Sequence, residues 1–212
     1  MRKNMTSKIS ILSVVLLSAA ALLLGGCGNI VSQSTPTEFY RLLEADNSQI
    51  SPVKSELPDG LQVGIGPITI PGYVDRPQIV TSGTGGRLIV DDFNHWAEPV
   101  QENIERIMVA NMSSLLSQKQ VFHYPANFHP DPSSLQIAVE ITNMIRDENG
   151  QVYLSARWNV KRMLDNRLLA RDAVKYQSVQ NDKDFSDYSL ALSALFGKLS
   201  VAIVKSINSV SK

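Results

Sequence analysis

LQIAVEITNMIRDENGQVYLSARWNVKRMLDNRLLARDAVKY, residues 135–176, decides how this chain folds. Leu135, Ile137, Val139 and Ile141 alternate with polar or small residues; so do Val152, Leu154, Ala156, Trp158 and Val160, and then Leu168, Ala170, Val174 and Tyr176. A period of two marks a strand with one buried face. Asn149-Gly150 and Asp165-Asn166 separate the three runs, and such pairs accept the positive φ angles of tight hairpin turns. An antiparallel meander is predicted.

Outward from the meander the period changes. From Ser186 to Val210, Leu192, Leu195, Phe196, Leu199, Ile203 and Ile207 recur at intervals of three and four, which predicts a helix capped by Asp184 or Ser186. A second helix is predicted over 98–118, where Val100, Ile104, Ile107, Met108, Met112 and Leu115 oppose Gln101, Glu102, Glu105 and Arg106. Pro99 suits its first turn and Glu98 and Glu102 suit its positive end. Upstream, Leu61, Val63 and Ile65 alternate with Gln62, Gly64 and Gly66 ahead of Pro67, and 78–81 and 87–90 flank the turn Gly83-Thr84-Gly85-Gly86. Residues 38–43 open the domain as a strand, followed by a polar loop over 44–60. Together these predict an α+β fold, a twisted, mainly antiparallel sheet with two long helices packed on one face, in a single domain over 38–212.

The amino-terminal 26 residues read differently. Arg2, Lys3 and Lys8 precede an apolar run from Ile9 to Leu24, and Gly25-Gly26 precede Cys27. That is the pattern of a secretory signal, and the run is short of the roughly 20 residues that span a bilayer. Cys27 is the sole cysteine, so it forms no internal disulfide and no metal or redox pair. Leu24-Gly25-Gly26-Cys27 resembles the lipobox of bacterial lipoproteins. The resemblance implies cleavage before Cys27, a thioether-linked diacylglycerol on its sulfur and an acyl chain such as palmitate on its new amine. In such lipoproteins an Asp after the cysteine favours the inner membrane; Gly28 stands there, so the outer membrane is expected, with the inner membrane as the alternative. Residues 27–37 then form a lipidated tether, and the ten from Gly28 to Thr37 reach on the order of 30 Å.

Composition narrows the function. The chain has 212 residues, 43% apolar and 19% charged, with equal numbers of acids and cations. Everything after Cys27 carries a net charge of −3, which speaks against nucleic acid as a partner. No Gly-x-Ser-x-Gly elbow or phosphate-loop ending is present. His95, His123 and His129 lack the spacing of helical zinc ligands, and Asp91-Asp92 and Asp182-x-Asp184 read as solvated loops or caps. No enzyme, metal or further cofactor is expected.

Two stretches remain. In Pro71-Gly72-Tyr73-Val74-Asp75-Arg76-Pro77-Gln78-Ile79-Val80, prolines and charges either fix a crossover between strands or form a docking surface, since Arg and Tyr are favoured at interfaces and prolines limit the entropy cost of ordering. In Asn94-His95-Trp96-Ala97-Glu98-Pro99, Trp96 either staples the helix start or stands out as an anchor. VGIGPITIPGYVDRPQIVT, followed by WAEPV and IERIMVANMSSLL, resembles the ABC-type transport auxiliary lipoproteins, the PqiC/YmbA-like family. The resemblance implies the same fold and a non-enzymatic part in envelope lipid transport. The expected partners are a periplasm-spanning MCE-domain protein and its inner-membrane transport component, with ring-like homo-oligomers. On that reading Pro71, Tyr73, Asp75, Arg76, Pro77, Trp96 and Glu98 are the candidate partner-binding residues. A structural or cell-wall-binding lipoprotein is the alternative, and a periplasmic hydrolase a more distant one.

Overall fold

The computed structural model describes residues 35–46, 57–58, 60–116, 120–179 and 184–211. The expected signal segment, Cys27, the tether up to residue 34 and Asp182 lie outside the described residues. The elements in chain order are β1 (Glu38–Tyr40), β2 (Val63–Thr69), β3 (Gln78–Ser82), β4 (Leu88–Trp96), α1 (Val100–Leu115), β5 (Val121–His123), β6 (Leu135–Arg146), β7 (Gln151–Arg162), β8 (Arg167–Val179) and α2 (Phe185–Val210). Residues Thr37–Lys212 cluster into one unit.

The three alternating runs pair antiparallel as β6, β7 and β8. Their turns differ in detail from the expected pairs of positive-φ residues. Only the second residue of each is left-handed, Gly150 at φ 82° and Asn166 at φ 54°. Asp147 Oδ1 holds the first turn by accepting the Asn149 and Gln151 N–H groups, both at 2.9 Å.

The strands form two sheets where the sequence suggested one. A five-stranded sheet runs β5-β2-β6-β7-β8, and a three-stranded sheet runs β1-β4-β3. Antiparallel pairing dominates by length, through the long β6–β7 and β7–β8 ladders, yet β2 lies parallel to both β5 and β6, and β1 lies parallel to β4. Those orientations follow from long connections, such as the one through α1, which return the chain in the same direction. Residues 121–123 are the short strand β5, which sequence reading did not pick out; three residues are too few for a visible period.

α1 packs on the β2–β5 side of the large sheet and α2 on the β7–β8 side. Ile104, Met108 and Met112 of α1 and Leu192, Phe196 and Ile203 of α2 are fully buried against Ile137, Leu154 and Trp158. α2 is long and apolar enough to cross a membrane by composition, but most of its apolar stretch is inside the domain, as in a core helix. Its cap is Asp184, whose side chain accepts the Ser186 N–H at 3.3 Å.

A register shift between Ile141 and Asn143 changes which β6 residues face the helices. Before it only the odd positions 135 to 141 are buried; after it Met144, Ile145 and Arg146 all are, so two even positions join the buried set. Arg146, 7% exposed, is thereby turned inward. Its guanidinium stacks 4.3 Å from the Phe185 ring centroid and 5.4 Å from that of Tyr188, and Nη1 donates to the Asp184 carbonyl at 3.0 Å.

Candidate docking groove

The segment between β2 and β3 is built from tight turns. The Val74 N–H donates to the Pro71 carbonyl at 3.0 Å and the Arg76 N–H to the Val74 carbonyl at 2.8 Å. Val74 is buried, which pins the middle of the segment and turns Asp75, Arg76 and Pro77 outward. The Trp96 N–H donates to the Pro77 carbonyl at 2.7 Å, fastening the segment to the end of β4, where α1 begins.

Between them lies a cleft of about 360 Å³ lined by Asp75, Arg76, Pro77, Trp96, Ala97, Glu98, Pro99 and Val100. Five of the seven residues singled out from sequence therefore meet: Asp75, Arg76, Pro77, Trp96 and Glu98. Pro71 and Tyr73 do not line the cleft. Trp96 is only 5% exposed and its ring sits 6.2 Å from that of Tyr188, so most of the indole belongs to the core. Glu98 is ion-paired with Arg106, about two helical turns further along. Asp75 and Arg76 have no hydrogen bond or ion pair from their side chains among the described residues. The cleft thus offers one unpaired cation and one unpaired anion, both exposed, beside an apolar wall of Pro77, Pro99 and Val100.

Tyr73 works behind the cleft. Its hydroxyl donates to Asn143 Oδ1 at 2.8 Å and accepts the Met144 N–H at 3.1 Å. Both partners lie at the β6 register shift, where a ladder partner is missing. Burial raises the Tyr73 pKa above its ordinary value, against the lowering effect of the Met144 N–H.

Sequence reasoning missed the residues that hold the segment after β1. Asn103, 1% exposed, accepts the Leu42 N–H at 2.6 Å and donates to the Leu42 carbonyl at 3.1 Å. Ser193 accepts the Leu43 N–H and Asn111 the Ala45 N–H, each at 2.9 Å. These side chains replace a neighbouring strand, which is why β1 stops at Tyr40 where the sequence suggested a strand to Leu43. The available signal was the presence of Asn103 and Asn111 on the apolar face of α1, eight residues apart.

A larger trough of about 420 Å³ crosses the uncovered face of the five-stranded sheet, lined in part by Glu140, Arg157, Asn159 and Arg171. Its groups satisfy one another. Arg157 binds Glu140 through two nitrogens at 2.7 and 2.6 Å, and Arg171 donates to Asn159 at 2.9 Å. The Arg157 hydrogen bond holds the Glu140 carboxyl below its usual range. Asp91 Oδ1 accepts the Phe93 and Asn94 N–H groups, and His123 Nε2 lies 3.0 Å from Glu105. His95 meets the Phe39 ring edge-on, and His129 is exposed. Among the described residues no three His, Cys, Asp or Glu side chains are grouped to hold a metal.

The sequence matches the model for the ABC-type transport auxiliary lipoprotein component over residues 40–204. The chain belongs to this family. Two solved structures share the fold of this auxiliary lipoprotein. A protein from Xanthomonas campestris in the DUF330 family is 16% identical, with a TM-score of 0.65 over 82% of this chain and 97% of its own. An uncharacterized protein is 17% identical, with a TM-score of 0.64 over 82% of this chain and 99% of its own. At these identities they establish the fold alone. No curated sequence is significantly similar to it.

For the auxiliary lipoprotein, Tyr73→Phe separates scaffold from contact surface. Removing the hydroxyl leaves the Met144 N–H without its partner and should cost about 1–3 kcal/mol. Thermal melting reads this, and an unchanged melting temperature would show that the Met144 amide does not depend on the phenol.

Proposed function

We propose that this protein is an outer-membrane-anchored, non-enzymatic component of an MCE/ABC-type intermembrane lipid transport system. On this reading acyl chains on Cys27 hold it to the periplasmic face of the membrane, and the groove docks the periplasmic conduit there. Family membership supports the transport role. The observation that carries docking is the groove itself, where the unpaired charges of Asp75 and Arg76 stand beside apolar surface. A partner presenting a carboxylate to Arg76 and an apolar side chain to Pro77 and Pro99 fits it. Because lipids need a continuous apolar path through water, the end of a conduit must be held near a bilayer, and a short tether provides that proximity.

Asp75→Ala combined with Arg76→Ala should weaken capture of the MCE-domain partner by about tenfold or more. Both residues are exposed, so the melting temperature should stay within about 2 °C of the parent. Crosslinking in the native envelope followed by mass spectrometry reads the partner, and the same crosslinks read self-association into a ring. Capture unchanged by the double substitution would remove the groove from the docking surface. Recovery of peptidoglycan in place of an MCE protein would favour a cell-wall role.

A further inference from the structure

Leu88, Ile89 and Val90 are consecutive in β4, and each is between 39% and 45% exposed. Neighbouring strand residues point to opposite faces, so here both faces of the hairpin between β3 and β4 present apolar surface to solvent. A strand serving only the core would bury one of them. Phe93, 46% exposed, and Phe39 of β1, 64% exposed, lie farther along the same sheet, beyond Asp91 and Asp92.

Charge bounds the patch. From Thr81 to Val90 the single charged residue is Arg87, at the hairpin tip, while Asp91 and Asp92 follow directly. The Gly83 N–H donates to the Arg87 carbonyl at 2.8 Å and closes the tip. At about 3.3 Å per residue the three apolar positions extend roughly 10 Å from the tip to the acids. That length matches the roughly 5–10 Å to which interfacial segments enter the boundary between headgroups and acyl chains.

The direction of β1 supplies a second observation. β1 pairs parallel to β4, with Glu38 opposite Asn94 and Tyr40 opposite Trp96. β4 runs away from the hairpin tip, so the chain enters β1 from the tip side. Ile89 lies five residues before Asn94, roughly 17 Å along the strand. The ten residues from Gly28 to Thr37 reach on the order of 30 Å, enough for a bilayer that holds Cys27 to meet the tip.

The geometry points to the β3–β4 hairpin as a membrane wedge, with Leu88, Ile89 and Val90 in the outer acyl region of the bilayer and Arg87 at its phosphates. This rests on the proposed acylation of Cys27 and adds a second, non-covalent contact. It orients the domain, because a lipid on a tether alone leaves rotation free.

The test uses the full-length protein purified from membranes and reconstituted in vesicles of phosphatidylethanolamine and phosphatidylglycerol, 3:1, with or without brominated acyl chains. Ile89→Trp reports the hairpin, and Leu164→Trp, in the exposed turn between β7 and β8, is the control. Trp96 and Trp158 are both buried, and the parent protein supplies their background. The expected result is loss of the emission added at position 89 on bromination, with none lost at position 164; Leu88→Trp should repeat it. Equal quenching at both positions, or none at 89, overturns the wedge. So does an emission shift at 89 that follows protein concentration without lipid, which would assign the patch to a second copy of the chain. Intact mass of the same preparation reads Cys27 separately, so an unmodified thiol sinks the anchor while the quenching result still decides the hairpin.

Discussion

Gly66→Ala should destabilise the domain by about 3 kcal/mol or more. Gly66 sits at φ 133°, a conformation that side-chain-bearing residues rarely adopt. A Cβ there would lie 2.0 Å from the Tyr124 carbonyl oxygen. Neither side can give way cheaply. The Tyr124 N–H donates to the Ile65 carbonyl at 2.8 Å, and Gln136 Nε2 donates to the Gly66 carbonyl at 3.1 Å, so both sides are held by hydrogen bonds. Domains of this size have roughly 5–15 kcal/mol in total, and the loss should lower the melting temperature by roughly 6–12 °C. Gly72→Ala is the matched control, since its Cβ would meet nothing within 4 Å. A Gly66→Ala protein that melts with the control would mean that β2 and the segment after β5 are not packed this closely.

Cys27→Ala should remove the protein almost completely from the membrane fraction. Each buried acyl methylene contributes about 0.8 kcal/mol, and two acyl chains already suffice for stable anchoring. Cys27 precedes the unit Thr37–Lys212, so the melting temperature of the domain should not move. The few apolar side chains of the hairpin cannot substitute for the three acyl chains proposed on Cys27. Continued membrane fractionation of a Cys27→Ala protein with a cleaved signal would count against the anchor and against the role proposed from it.

The candidate groove was legible because its chemistry is concentrated in two short stretches. Asp75, Arg76 and Pro77 stand out as charge and rigidity in a segment that only needs to connect two strands, and Trp96 and Glu98 stand at a helix start. Local sequence could not show that these stretches face each other; the Trp96 to Pro77 backbone hydrogen bond does that across nineteen residues. Nor could it separate Tyr73 from its neighbours. Its hydroxyl serves a register shift some seventy residues away in β6, and nothing near residue 73 announces that need.

By itself, the sequence determined the periodic elements: three alternating strands, two amphipathic helices, the glycine turn at 83–86 and the order in which they occur. Each depends on residues a few positions apart, whose faces are set by the geometry of one strand or one helix. Tertiary structure alone decided the split into two sheets, the parallel placement of β1 and β2, and the inward turn of Arg146. Strand partners are chosen by contacts between distant segments, and one extra residue at the β6 register shift brings the even positions Met144 and Arg146 into the buried set beyond it. Asn103 shows the same dependence: a polar residue on an apolar helix face is costly until the Leu42 backbone, sixty-one positions earlier, takes both of its hydrogen bonds.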